Sequence, residues 1–100
     1  MIIPMISMVV TLTAYSPLET CKGSCIDASG GRPQHMITAA CPRVYPLGTA
    51  AILPDMNLLI VCTDRTAKKY DGRWDIFMDN YDEALKFGKQ KQKIVIFKNL

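Results

Sequence analysis

The chain has 100 residues, of which 49% are hydrophobic and 21% are charged, and its formal net charge is +3. This length predicts one domain spanning residues 1–100, and the hydrophobic fraction argues against intrinsic disorder. The mild positive charge suits an anionic partner, but the basic residues are scattered and not interleaved with aromatic ones, so nucleic acid is not expected as a ligand.

The first ten residues are apolar and contain no Lys or Arg, and Glu19 is the first charged residue. They are too short to span a bilayer, and they lack the basic start and the small-residue cleavage site of a signal peptide. We therefore interpret them as the lead-in to a strand over residues 8–15, which Pro17 ends. No stable insertion into a membrane is expected.

Residues 16–33 are predicted to form a long loop that contains Cys21 and Cys25. With Cys41 and Cys62 the chain has four cysteines, an even number that permits two disulfides in any of three pairings. A structural zinc site is the alternative, but a Cys-x3-Cys pair with two distant cysteines is not the usual finger spacing, so no metal is expected. If disulfides form, the protein matures in an oxidising space such as the periplasm.

The rest of the chain alternates between short strands and turns. Asn80 suits a helix N-cap and Gly88 suits a helix stop, which predicts a helix over residues 80–87 with Ala84, Leu85 and Phe87 facing the core. Six or seven short strands with one helix predict a small closed barrel. After the first strand, strands are expected over residues 35–40, 49–53, 58–63 (a buried strand), 73–78 and 93–98.

The candidate chemistry lies between residues 62 and 88. Asp64 and Asp75 flank a polar turn that contains Gly72, and Asp79 follows shortly after. In an extended strand, Asp75 and Asp79 lie on the opposite face from Trp74. The same face as Asp75 also carries Arg73 and Phe77. If the apolar face meets the core, the carboxylates face a groove.

Several motifs along the chain occur in the order of a known family. The chain resembles the 3D domain, named for its aspartates, and the related catalytic barrel of MltA-type lytic transglycosylases. The motifs are Thr13-Ala14-Tyr15, Ala28-Ser29-Gly30, Ala40-Cys41-Pro42, Asp64-Arg65-Thr66 and the runs at residues 45–49, 72–77 and 83–88. Each motif is weak by itself, but the ordered set spans nearly the whole chain.

The resemblance implies a mainly β fold, a small six-stranded double-psi β-barrel with one short helix. It also implies a lytic transglycosylase that cleaves the β-1,4 bond between N-acetylmuramic acid and N-acetylglucosamine in peptidoglycan. In that reaction a single acid/base suffices, because the sugar's own 6-hydroxyl closes onto C1 to give a 1,6-anhydro product. No cofactor is implied.

The resemblance implies catalytic roles for Asp75, as the acid/base, and for Asp64. A neighbouring Asp64 carboxylate would help Asp75 keep its proton, although Asp64 could instead orient substrate. Substrate-binding roles are expected for Tyr15, Thr49 and Asp79, each with a structural alternative: barrel packing, turn chemistry and helix capping. Arg73, with Arg65, Lys68 and Lys69, is expected either to bind the lactyl carboxylate or the peptide stem, or to form a solvated basic turn.

Two departures from the family bear on the site. Cys41 stands where many members carry an aspartate, which removes a carboxylate from the expected site. Thr66-Ala67 replaces a Gly-Gly pair, and because glycine permits backbone conformations that these residues resist, the turn is expected to follow a different path.

Two other functions compete with the first. One is a non-catalytic, expansin-like barrel that binds peptidoglycan. The other is a cysteine hydrolase that uses Cys25 or Cys41 with His35, although the sole histidine is expected to be structural. As a lytic transglycosylase, the protein is expected to be a monomer that acts at the bacterial cell wall or periplasm. Without a signal peptide, it would be made in the cytoplasm and released through a phage pore, as an endolysin is.

Overall fold

The computed structural model describes residues 4–16 and 26–98. Six strands in these ranges form a closed barrel, and one short helix packs beside it. The expected mainly β fold, a small six-stranded barrel with one short helix, is therefore confirmed. The elements are β1 Met5–Tyr15, β2 Thr38–Cys41, β3 Ala50–Leu53, β4 Leu58–Arg65, β5 Trp74–Phe77, α1 Tyr81–Phe87 and β6 Gln90–Phe97, with 3₁₀ turns at Pro54–Met56 and Lys68–Tyr70.

The strands follow one another around the barrel in the order β1, β5, β2, β4, β3, β6, and β6 closes the sheet by pairing with β1. Two neighbouring pairs are parallel, β1 with β5 and β2 with β4, and the other four are antiparallel. Parallel neighbours require crossover connections rather than hairpins. The crossovers bring four segments that are distant in the sequence into one continuous wall, β4-β2-β5-β1.

The barrel interior is apolar because alternate residues of each strand point inward. Trp74 is the largest of its fully buried side chains, 1% exposed, and its ring centroid lies 5.8 Å from that of Tyr45. Every strand contributes two residues to the interior. They are Val10, Leu12, Ala39, Cys41, Ala51, Leu53, Ile60, Cys62, Trp74, Ile76, Ile94 and Ile96.

A disulfide between Cys41 and Cys62 ties β2 to β4, with the two Cα atoms 5.6 Å apart. It closes a loop with a sequence separation of 21, for which the loss of unfolded-state entropy corresponds to about 3 kcal/mol of stabilisation. This pair was one of those that the four cysteines allowed. It removes both thiols from the zinc alternative, while Cys21 and Cys25 lie outside the described residues.

The helix begins as the sequence indicates. The side chain of Asn80 accepts a hydrogen bond of 3.0 Å from the backbone N–H of Glu83, and Gly88, with φ 65°, ends the helix. Ala84 is buried and Phe87 packs against the core, both as expected. The expectation for Leu85 is wrong, because its side chain is 57% exposed. A short helix buries only one face, and the face that carries the buried Ala84 does not include Leu85.

Two strand predictions need correction. The strand β4 is not buried throughout: Leu59 is 57% exposed, because β4 alternates between the interior and the outer face. Strand β2 begins at Thr38 rather than at His35. The preceding residues form a turn in which Gln34 accepts the N–H of Thr38 through its carbonyl, while its own N–H donates to the Thr38 hydroxyl.

Candidate functional site

A groove with a volume of about 310 Å³ lies on the outer face of the β4-β2-β5-β1 wall, and both Asp64 and Asp75 line it. The sheet register explains why they share it. Ala40 pairs with Asp64 on one side and with Asp75 on the other, and Asp75 pairs in turn with Thr13. The two aspartates therefore stand two strand spacings apart, roughly 10 Å between backbones, in one row across the wall.

A β-bulge places Asp64 on this face. Ala39 pairs with Cys62 but Ala40 pairs with Asp64, so that Thr63 is the extra residue on β4. In a regular strand without the bulge, Asp64 would lie two positions after the buried Cys62 and would therefore share its face. The bulge thus moves the carboxylate from the interior face to the groove face.

Within the described residues, Asp64 accepts three hydrogen bonds. Its Oδ1 accepts the backbone N–H of Ala28 at 3.1 Å and that of Arg65 at 2.9 Å. Its Oδ2 accepts the hydroxyl of Tyr15 at 2.9 Å. Both carboxylate oxygens are therefore engaged by donors of the chain, and the side chain is fixed in orientation.

Tyr15 is buried beside the groove and forms a small apolar cluster with Ala40 and Phe77. Its ring meets that of Phe77 edge-on, with centroids 5.4 Å apart. Burial, followed by the negative charge and hydrogen bond of Asp64, raises the pKa of the Tyr15 phenol far above its ordinary value of 10.0. The phenol therefore stays protonated and remains a donor to Asp64.

Asp75 lies on β5 with its side chain toward the groove, while its neighbours Trp74 and Ile76 face the interior. The alternation predicted for this strand is confirmed. The hydroxyl of Thr13, its partner on β1, donates a hydrogen bond of 3.0 Å to Asp75 Oδ1. The sequence analysis named Thr13 only as part of a strand motif and gave it no role in the site, and the parallel pairing of β1 with β5 reveals its contact with Asp75.

A third carboxylate, Asp27, organises the loop beside the groove. Its Oδ1 accepts two backbone N–H groups, from Ser29 and Gly31, and the hydroxyl of Ser29, while Oδ2 accepts the hydroxyl of Thr63. Burial acts to raise the pKa of Asp27, but these hydrogen bonds outweigh it and the pKa falls below 3.8.

The Asp27 loop is anchored to β4, because the backbone N–H of Ser29 donates to the carbonyl of Thr63. The same loop supplies the Ala28 N–H that binds Asp64. The sequence analysis gave Asp27 no role, although an Asp-x-Ser-Gly run is a recognised signal for a turn built on the aspartate side chain.

The basic residues around the groove divide into two kinds. Arg65 points toward the barrel end, where its Nη1 donates to the carbonyls of Pro42 and Tyr45 at 3.1 and 2.7 Å and lies 3.3 Å from Cys41 Sγ. Arg73, which lines the groove as Arg65 does, has its guanidinium 3.9 Å from the centre of the Tyr70 ring. Arg65 is therefore tied to the barrel end by its hydrogen bonds, whereas Arg73 is half-buried with its guanidinium against Tyr70.

The turn after Asp64 does not need glycine. Ala67 has φ −57°, and among the described residues positive φ outside glycine is confined to Met36 and Asn57. The Thr66-Ala67 pair is therefore unstrained, and Thr66 is buried at the wall of the groove. Arg43 pins this turn by donating from Nη2 to the Thr66 carbonyl at 3.1 Å.

Two residues expected to bind substrate lie away from the groove. Thr49 is buried, donates its hydroxyl to the Pro46 carbonyl at 2.7 Å, and lines a separate apolar cavity. Asp79 follows β5, and its Oδ1 and its backbone N each lie 3.0 Å from Nδ1 of His35. The Thr49 contact matches the turn alternative. Asp79 neither lines the groove nor caps the helix, whose N-cap is Asn80, and it pairs with His35 instead.

Neither a metal cluster nor a membrane helix is found in the part of the chain that the structure describes. There, no group of three or more His, Cys, Asp and Glu side chains could hold a metal ion. Within the same residues, no helix has the length and apolarity that crossing a bilayer requires.

No protein-family model and no curated protein matches this chain. The resemblance to the 3D domain and to MltA-type enzymes therefore rests on the ordered motifs, and it enters the function of this protein only as a proposal.

Proposed function

We propose that the protein is a peptidoglycan lytic transglycosylase in which Asp75 is the acid/base. The observation that carries the proposal is the row Asp64, Ala40, Asp75 and Thr13, which sets two carboxylates in one open groove. Both carboxylates are half-buried, and each accepts hydrogen bonds from neighbouring strands or loops, which fix its position in the groove.

The proposed reaction needs one group that gives and then takes a proton. The Asp75 carboxylic acid donates its proton to the oxygen between the two sugars, and the bond from that oxygen to C1 of N-acetylmuramic acid breaks. The 6-hydroxyl oxygen of the same sugar bonds to C1, and its proton returns to the Asp75 carboxylate. The products are a free 4-hydroxyl and a 1,6-anhydro sugar, without consumption of water.

The contacts of Asp64 favour this route over hydrolysis. Hydrolytic glycosidases normally use a second carboxylate as nucleophile or base. Both oxygens of Asp64 already accept hydrogen bonds from the chain, from Tyr15 on one side and from two backbone N–H groups on the other. We therefore assign Asp64 a positioning role in the groove wall. Tyr15 supports this role by donating its hydroxyl to the Asp64 carboxylate.

The test is mass spectrometry of the soluble products released from purified peptidoglycan. The parent protein is expected to release 1,6-anhydro muropeptides, and Asp75→Asn is expected to lose about a thousandfold in rate, as removal of a general acid does. Asp55→Asn, in the exposed Pro54–Met56 turn, is the matched control and should retain full activity. Circular dichroism and thermal unfolding must show that each variant is folded.

Two results would contradict the proposal. Full lysis by folded Asp75→Asn would remove that residue from the chemistry. Products one water heavier than the anhydro sugars would identify a hydrolase, and Asp64→Asn would then be the next variant to assay.

A non-catalytic, expansin-like barrel that binds peptidoglycan is the second candidate. It is favoured by the fact that Asp64 and Asp75 both accept intramolecular hydrogen bonds, which a purely structural role would also require. Saturable binding to the wall without any released sugar, at every protein concentration, would select it. A cysteine hydrolase that uses Cys41 is disfavoured, because Cys41 is buried and bonded to Cys62; Cys25, the other candidate nucleophile, lies outside the described residues.

In either case the proposed partner is the glycan of the bacterial wall, and the proposed site of action is the periplasm or cell wall. An endolysin released through a phage pore remains part of this proposal. Lysis of cells only after the inner membrane has been permeabilised would support it, whereas lysis of intact cells from within would contradict it.

A further inference from the structure

A second cavity, with a volume of about 300 Å³, adjoins the groove. The two cavities share Tyr70 and Arg73, so they form one continuous surface around the Lys68–Tyr70 turn. Lys69 and Lys89 also line the second cavity. We refer to this cavity as the basic pocket.

The charges of the basic pocket are largely unbalanced. Among the described residues that line it, Asp71 is the only carboxylate. Asp71 is already engaged by Arg43, through the backbone N–H at 2.9 Å and Nη1 at 3.7 Å. Among the described residues, neither Lys69 nor Lys89 has an ion-pair partner, since the recorded pairs are His35 with Asp79 and Arg43 with Asp71. The pocket therefore carries a net positive charge that an anionic ligand would neutralise.

Arg73 connects the basic pocket with the groove. Its guanidinium lies 3.9 Å from the centre of the Tyr70 ring, and the ammonium of Lys69 lies 4.9 Å from the same centre. Tyr70 is 41% exposed and lines both cavities. Its ring thus holds two cations where the cavities meet. Within the described part of the chain the buried Nε of Arg73 has no hydrogen-bond partner.

A further cation stands at the edge of the pocket. Lys91 on β6 donates from Nζ to the hydroxyl of Thr11 at 2.8 Å, and Thr11 is itself a lining residue. Carboxylates are well matched by this combination, because Arg offers a planar pair of donors and Lys offers a mobile point charge.

We propose that the basic pocket binds the free carboxylates of the peptide stem that is attached to the glycan. This inference rests on the proposed function, because it requires the sugar to lie in the groove beside Asp75. The stem is covalently attached to the sugar that reacts, so a sugar in the groove carries its acidic peptide toward the adjoining surface. The pocket would then select glycan strands that still bear acidic stems.

The test titrates the parent protein and two charge-matched double variants with the isolated stem peptide. Lys69→Gln/Lys89→Gln removes two pocket cations, whereas Lys86→Gln/Lys93→Gln removes two exposed lysines that do not line the pocket. The same peptide with its carboxylates amidated, and inorganic phosphate, serve as the second and third ligands. Binding is followed by calorimetry or by backbone amide shifts at Tyr70 and Gly72.

The pocket variant is expected to bind the acidic peptide about five- to tenfold more weakly than the parent, and the control variant within about twofold. The amidated peptide should bind weakly to all three proteins, and added salt should weaken the acidic peptide's binding. On wall glycan, the pocket variant should lose rate on strands with stems and match the parent on strands whose stems have been removed enzymatically.

Equal binding of the acidic peptide by the parent and the pocket variant would overturn the proposal. Binding of the amidated peptide by the parent as tightly as the acidic peptide would also overturn it. Binding of inorganic phosphate as tight as that of the stem peptide would also overturn it, in favour of a phosphate site. The titration tests whether the pocket binds the stem peptide, and the product analysis tests whether Asp75 is the acid/base. The proposed ligand of the pocket and the proposed reaction can therefore fail independently.

Discussion

The two faces of the β4-β2-β5-β1 wall are built from alternate residues of the same strands, yet they have opposite chemistry. The interior face presents Leu12, Ala39 and Trp74, whereas the groove face presents Thr13, Asp64 and Asp75. The interior side chains are apolar and fully buried, and each groove-face carboxylate is held by hydrogen bonds. Residues that stabilise the barrel and residues that line the candidate site are therefore direct neighbours along each strand.

This separation means that substitutions on the two faces should have different consequences. Truncation of an interior residue removes apolar contacts and leaves a cavity, so that it acts on the whole barrel. Loss of a groove-face residue removes one or two hydrogen bonds at a partly open site, so that its effect on folding is smaller.

The largest expected effect is that of Trp74→Ala on the interior face. It removes the largest fully buried side chain of the barrel, which should cost about 3–5 kcal/mol in the free energy of unfolding. Urea denaturation followed by circular dichroism measures this cost. Trp74→Phe keeps most of the apolar volume and should cost clearly less, whereas a loss below about 1 kcal/mol for Trp74→Ala would contradict a tightly packed interior.

An intermediate and pH-dependent effect is expected for Asp27→Asn beside the groove. Because the pKa of Asp27 is lowered in the folded state, its contribution to stability is present above pH 3.8 and is lost as the pH falls through the lower folded value. At neutral pH the free energy of unfolding of Asp27→Asn should be about 2 kcal/mol lower than that of the parent.

Thermal unfolding of the parent and Asp27→Asn at several pH values tests this sign. The difference in stability should be constant between pH 5 and 7 and should shrink below pH 3.8. A difference that grows on acidification would show that Asp27 is not held as a carboxylate. Asp55→Asn, which alters an exposed aspartate, supplies the baseline.

The smallest expected effect on folding is that of Tyr15→Phe, which removes only the hydroxyl that binds Asp64. The cost should be about 1 kcal/mol, because Asp64 keeps its two backbone donors. If the hydroxyl acts through Asp64, the costs of Tyr15→Phe and Asp64→Asn should not add in a double-mutant cycle.

Alkaline unfolding gives a second measure of the same contact. Since the pKa of Tyr15 is raised, the neutral phenol stabilises the fold up to the unfolded value of 10.0, and that contribution is lost as the pH rises through the folded value. The stability advantage of the parent over Tyr15→Phe should therefore decline above pH 10. An advantage that persisted unchanged in strong alkali would contradict a buried, hydrogen-bonded phenol.

The sequence by itself determined the local features of this protein. The alternation around Asp75, the Asn80 cap and the Gly88 stop are encoded by neighbouring residues, because side-chain period and capping depend on a few positions only. The count of short apolar strands with one helix was sufficient to indicate a small closed barrel. Strand β6 shows the limit, since its polar start at Gln90 is held by pairing with Leu12 of β1 and not by its own composition.

Only the tertiary structure decided how the distant segments meet. The bulge that turns Asp64 into the groove, the Cys41–Cys62 pairing and the Thr13 contact with Asp75 all depend on which strands become neighbours. Thr49 and Asp79, which sequence reasoning grouped with the groove, lie elsewhere for the same reason. Strand order and register are set by the burial of the whole interior, and that sum over many distant contacts cannot be seen in any local window.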